Sequence, residues 1–92
     1  MNFLISGVGG ATPLSIAKRI RSLYPESIII GTDLHKNALG FHFNNLVDYK
    51  YIVPSSKSED YWKVTHQLIK NHNIDYAFIQ SENEVIEWAH YY

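Results

Sequence analysis

The sequence predicts an α/β domain in three layers, with helices on both faces of a four-stranded parallel sheet. Two observations carry this expectation. Four short apolar runs, Asn2 to Ser6, Ser27 to Thr32, Tyr49 to Val53 and Asp75 to Gln80, are each followed by a turn signal or a helical pattern. That alternation is the mark of βα units. The second run also holds three consecutive isoleucines at 28, 29 and 30, and an unbroken β-branched run suits a central strand covered on both faces.

The remaining elements follow in chain order. After the first run, Thr12 is placed to cap a helix beginning at Pro13, where a missing N–H costs nothing. Ile16, Ala17, Ile20, Leu23 and Tyr24 repeat at three and four along it, and Pro25 marks its end. The stretch from His35 to Asn45 has no clear period and reads as a short helix or an irregular connection. The third run alternates and stops at Pro54, as an outer strand does, whereas the fourth reads as buried. Ser56 and Glu59 form a candidate capping box before a helix with Tyr61, Val64, Leu68 and His72 on one stripe, stopped by Asn71 to Asn73. A second box, Ser81 with Glu84, opens a last helix containing Val85, Ile86, Trp88 and Ala89.

Composition narrows the function classes. Eight basic against nine acidic residues, a formal charge of −1, lack the basic footprint of a nucleic-acid binder. Cysteine is absent, which removes disulfides, thiolate zinc sites and cysteine nucleophiles. The five histidines show no metal-ligand spacing, so no metal site is expected. No apolar run approaches the ~20 residues needed to span a bilayer, and the N-terminus lacks the pattern of a signal peptide. A cytoplasmic domain without membrane contact is the expectation.

The local motif with most information is Ser6-Gly7-Val8-Gly9-Gly10-Ala11-Thr12-Pro13, between the first run and the first helix. Glycines there permit a tight turn, and the helix N-terminus beyond offers N–H groups to an anion. A G-x-G-x-x-G dinucleotide pattern starting at Gly7 wants glycine at 12, where Thr12 stands, and the looser G-x-x-G-x-x-G wants it at 13, where Pro13 stands. Asp33 falls where a ribose-binding acid would lie, about 20 residues beyond the turn. A plain βα turn, a cofactor loop and a loop facing a substrate therefore all remain open on these residues alone.

Three ordered segments, "NFLISGVGGATPLSIAKRI", "IIIGTDLHKNALGFHFNNLVDYKYIVPS" and "IDYAFIQSENEV", resemble the N-terminal domains of ATP-grasp ligases, especially those related to the carbamoyl-phosphate synthase large subunit and to amino-acid ligases. The resemblance implies a Rossmann-like, pre-ATP-grasp fold over residues 1–92 as one domain. It also implies a substrate-facing role in an ATP-dependent carboxylate–amine or carbamoyl-type ligase. In that family ATP and magnesium are held mainly by later domains, so neither is expected on this chain, no catalytic residue is assigned to it, and the 92 residues alone are expected to be inactive. The matching positions on the substrate cleft are Gly9, Gly10, Ala11 and Thr12, then Asp33, then Ser81 and Glu82. Pro13 departs from the family's usual glycine.

Two alternatives stand beside that one: an NAD(P)- or nucleotide-binding Rossmann module of a reductase or epimerase, and a free-standing interaction domain. Glu82, Glu84 and Glu87 form an acidic cluster, but acids at a helix start are favoured by the dipole, so Glu84 is read as a cap and Glu82 as the functional candidate. The aromatic end, Tyr91-Tyr92 with Trp88 before it, leads to the expectation of a chain cut from a longer protein. Its apolar surface would meet the missing ATP-grasp domains or, in a homodimer, a second copy.

Overall fold

The computed structural model describes residues 1–8, 11–34 and 46–91, with backbone alone for Ala11 and Thr12. Its elements are β1 (Asn2–Ser6), α1 (Ala11–Leu23), β2 (Ile28–Asp33), β3 (Tyr49–Ile52), α2 (Tyr61–Asn71), β4 (Tyr76–Phe78) and α3 (Glu82–Tyr91). The four strands form one parallel sheet in the order β3-β2-β1-β4. The connection whose period was unreadable, residues 35–45, lies outside the described residues.

Alternation along the central strands separates two cores. Phe3 and Ile5 of β1 and Ile29 of β2 pack with Val8, Ala17, Ile20 and Val47. The intervening Leu4, Ser6 and Thr32 face the other way, toward Tyr61, Thr65 and Leu68 of α2. Each helix meets its face through a stripe one turn apart: Pro13, Ala17 and Ile20 are buried on α1, and Tyr61, Thr65 and Leu68 on α2. The result is a three-layer α/β domain, as the sequence predicts.

Polar anchors pin the ends of the sheet. The Asn2 side chain donates to the His72 carbonyl at 2.7 Å, and the Asp75 carboxylate accepts the Asn2 N–H at 2.8 Å. Arg21 donates to Asp48 at 2.8 Å, whose same oxygen accepts the Ile29 N–H. At the end of α2, Asn73 takes a left-handed conformation, φ 51°, and its N–H and that of Ile74 close on Lys70 and Ile69. The predicted asparagine stop is a real helix terminus of that kind.

Several sequence expectations require correction. α1 starts at Ala11, so Thr12 lies inside it and Pro13 is its third residue. This is tolerated because all of the first four N–H groups of a helix lack an internal acceptor. The Ser56–Glu59 capping box does not form: α2 begins after Asp60, and Ser55 and Ser58 instead hold turns by accepting the N–H groups of Lys57 and Asp60. β4 was expected to be buried but is an edge strand of three residues, all exposed. Tyr76 and Phe78 lie beside Phe3 at the flank of α1, beyond the reach of that helix.

Candidate ligand crevice at the switch point

In the order β3-β2-β1-β4 the chain leaves β1 through α1 on one face of the sheet and enters β4 through α2 on the other. The carboxyl ends of β1 and β4 are then neighbours from which connections diverge, and open α/β sheets bind ligands in the crevice at such a point. Here the crevice is built by the turn after β1, the end of β2 and the turn after β4.

Contacts draw these three segments together. Gly7 has φ 60°, and a Cβ on it would lie 3.7 Å from the Ser81 nitrogen, so the glycine turn sits directly against the turn after β4. The buried Ser6 hydroxyl accepts the Gln80 N–H at 3.0 Å, holding that turn to β1. Val8 donates its N–H to the Thr32 carbonyl at 3.1 Å, and Val53 donates to the Asp33 carbonyl at 3.0 Å. The rim is therefore fixed by backbone geometry at three places.

Beneath the rim lies a polar cluster. Glu84, only 9% exposed, points inward, and its carboxylate accepts the Tyr61 hydroxyl at 2.5 Å. Trp88 Nε1 donates to the same tyrosine oxygen at 2.8 Å. Burial pushes the Glu84 carboxyl above its ordinary range; the donated Tyr61 hydroxyl opposes this, Asp33 nearby adds to it, and the Ser6 hydroxyl opposes it. Tyr61 is pushed upward too, by burial first and then by Glu84. Glu84, Trp88 and Tyr91 recur at four and three along α3, so one face of that helix meets Tyr61 and Trp62 of α2.

Of the residues expected at the site, Gly9 and Gly10 lie outside the described residues. Ala11 and Thr12 form the first turn of α1 at the crevice. Asp33 is the last residue of β2 and half-buried, Ser81 is half-buried just before α3, and Glu82 is exposed on its first turn. The acid that turns inward is Glu84, read from sequence as a cap, together with Tyr61 and Ser6, which sequence reasoning placed in a helix stripe and a strand. The readable signal was the spacing of Glu84 and Trp88, four apart, against the opening residue of α2. The cavity between them measures about 10 Å³, too small for any ligand beyond about one water. Among the described residues no three acidic or histidine side chains group as a metal site, and no helix is long and apolar enough to cross a membrane.

No protein-family model and no curated protein matches the sequence. Among solved structures, the dTDP-glucose 4,6-dehydratase of Bacillus anthracis str. Ames in complex with NAD superposes with a TM-score of 0.69 and 14% identity, over 97% of this chain and 29% of that one. The chain thus spans less than a third of that protein. At this identity the likeness speaks for the fold alone, and with the sheet order it establishes a Rossmann-like α/β domain.

Proposed function

We propose that the chain is the substrate-facing domain of an ATP-dependent carboxylate–amine or carbamoyl-type ligase, its switch-point crevice forming one wall of the substrate cleft. The observation that carries this reading is convergence: the three segments resembling ATP-grasp N-terminal domains meet at one crevice, through Gly7 against Ser81 and Asp33 beside Glu84. Gly9, Gly10, Ala11 and Thr12 would form its first lip, Asp33 its floor, and Ser81 and Glu82 its second lip. ATP and magnesium belong, in this reading, to other domains that activate the carboxylate; this chain orients the substrate and shields it from water.

A second reading is favoured by the solved-structure likeness more than the first is: an NAD(P)- or nucleotide-binding module of a reductase or epimerase. The neighbour is a dehydratase in complex with NAD, and in this chain α1 follows the crevice turn and Asp33 ends β2. Thr12 and Pro13, standing where dinucleotide patterns want glycine, weigh the other way.

Calorimetric titration of the 92-residue chain with ATP, NAD and NADP separates the two. The ligase reading expects no ATP turnover and no dinucleotide binding tighter than about millimolar. Micromolar dinucleotide binding that is lost in Asp33→Ala would overturn it in favour of the second.

A further inference from the structure

We propose that a proton on Glu84 latches the turn after β4: with the proton bound, the first turn of α3 is seated beneath the crevice, and with it lost that turn loosens. The latch acts on the second lip of the crevice whichever ligand the crevice takes.

Its mechanical part is a short chain of contacts. The Ser81 carbonyl accepts the Val85 N–H at 2.9 Å, so the turn at Gln80 and Ser81 is continuous with the first turn of α3 and moves with it. On that first turn Glu84 is the buried residue of the helix. Two hydroxyls hold the assembly to the body of the domain. That of Tyr61, at the head of α2 and itself 1% exposed, donates to the Glu84 carboxylate at 2.5 Å. That of Ser6, buried at the end of β1, accepts the Gln80 N–H at 3.0 Å and also bonds the Glu84 carboxyl. One hydroxyl of the sheet therefore touches both the turn and the acid beneath it.

Its chemical part is that the seat suits a carboxyl better than a carboxylate. The groups facing the acid are Tyr61 from α2, Asp33 from β2 and Ser6 from β1; Trp88 of α3 and Thr65 of α2 act through the tyrosine oxygen. Burial is the largest influence and disfavours the charged form; the Tyr61 donor opposes it, the like charge of Asp33 adds to it, and the Ser6 donor opposes it. An ionised Glu84 is hydrogen-bonded there yet desolvated beside another acid. Relief needs only local opening: lifting the first turn of α3 hydrates the carboxylate, while the sheet and the buried stripes of α1 and α2 stay packed. The seated state is fully favoured below the ordinary 4.5 and loses ground as the pH climbs through the higher seated value. Opening thus rises by up to about tenfold per pH unit across that interval and then levels off.

Hydrogen exchange read by mass spectrometry from about pH 5 to pH 8, corrected for the intrinsic exchange rate, tests the latch. Protection of residues 80–91 should fall by at least about threefold over this range, while that of residues 2–6 and 61–71 stays constant. In Glu84→Gln, which cannot ionise, protection of 80–91 should stay constant too. Asp33→Asn removes the neighbouring charge and should shrink the fall; it carries the test should Glu84→Gln fail to fold. Protection of 80–91 that ignores pH in the wild type, a fall shared equally by 61–71, a fall that survives Glu84→Gln, or one unaltered by Asp33→Asn would overturn the proposal.

Discussion

Replacing Glu84 with glutamine probes the buried cluster through its pH dependence. The wild-type carboxyl is 9% exposed, accepts Tyr61 and feels Asp33, and burial raises it from an ordinary 4.5. A raised carboxyl binds its proton more tightly folded than unfolded. Its contribution to stability is then fully present below pH 4.5 and lost as the pH climbs through the folded-state value, the reverse of a salt-bridged acid. Each unit of upward shift corresponds to about 1.4 kcal/mol of that loss. Glutamine keeps the shape and accepts the Tyr61 hydroxyl, but never ionises.

The stability difference between wild type and Glu84→Gln should therefore swing toward the variant between pH 4 and pH 8, by about 1–3 kcal/mol, the cost of desolvating a buried polar group. Urea unfolding followed by tryptophan fluorescence measures it, because Trp62 and Trp88 both border the cluster. Taking the difference cancels contributions common to the two proteins. A difference that stays flat across this range, or moves toward wild type as pH rises, would refute the assignment of Glu84 as a buried, partly desolvated acid.

Two further perturbations test the surrounding fold. Tyr61→Phe removes the donor to Glu84 and the acceptor of Trp88 Nε1 together; a loss of about 2–3 kcal/mol is expected, read from the urea midpoint at unchanged slope. Gly31→Ala places a Cβ 3.0 Å from a Val47 methyl and 3.2 Å from one of Val8, so overpacking should cost about 1–3 kcal/mol. Because the obstacle is a side-chain end, adding Val47→Ala should return part of the lost thermal stability.

The layered sheet was legible because its cause is local: the isoleucine run and the stripes of α1 and α2 state which faces are covered. Strand position was only half legible. β3 shows its place through alternation and Pro54, whereas β4 carries an apolar run that says its side chains suit burial without saying what buries them. Tyr76 and Phe78 satisfy the sequence rule for an inner strand while standing at an edge. The Ser56–Glu59 capping box failed for a related reason. Ser56 and Glu59 have the right spacing, yet helix α2 starts where Tyr61 can be buried at 1% exposure, and a four-residue motif is weaker than a core aromatic.

The crevice was legible in its backbone and not in its acids. A glycine turn against a serine turn follows from chain order once the sheet order is known, and Asp33 follows from the end of β2. Glu84 did not follow, because an acid three residues after a serine satisfies a helix N-terminus equally well whether it bends back to the cap or turns inward. The choice is made by residues 23 and 4 positions away, Tyr61 and Trp88: a tyrosine at the head of α2 supplies a donor inside the core, and a tryptophan one turn along α3 orients that donor. Of the two acids, Glu82 is exposed on the first turn of α3, while Glu84 is buried against Tyr61. Pattern spacing thus separated a structural acid from an exposed one, but placed the structural role of Glu84 at the helix cap, whereas its carboxylate turns inward to Tyr61.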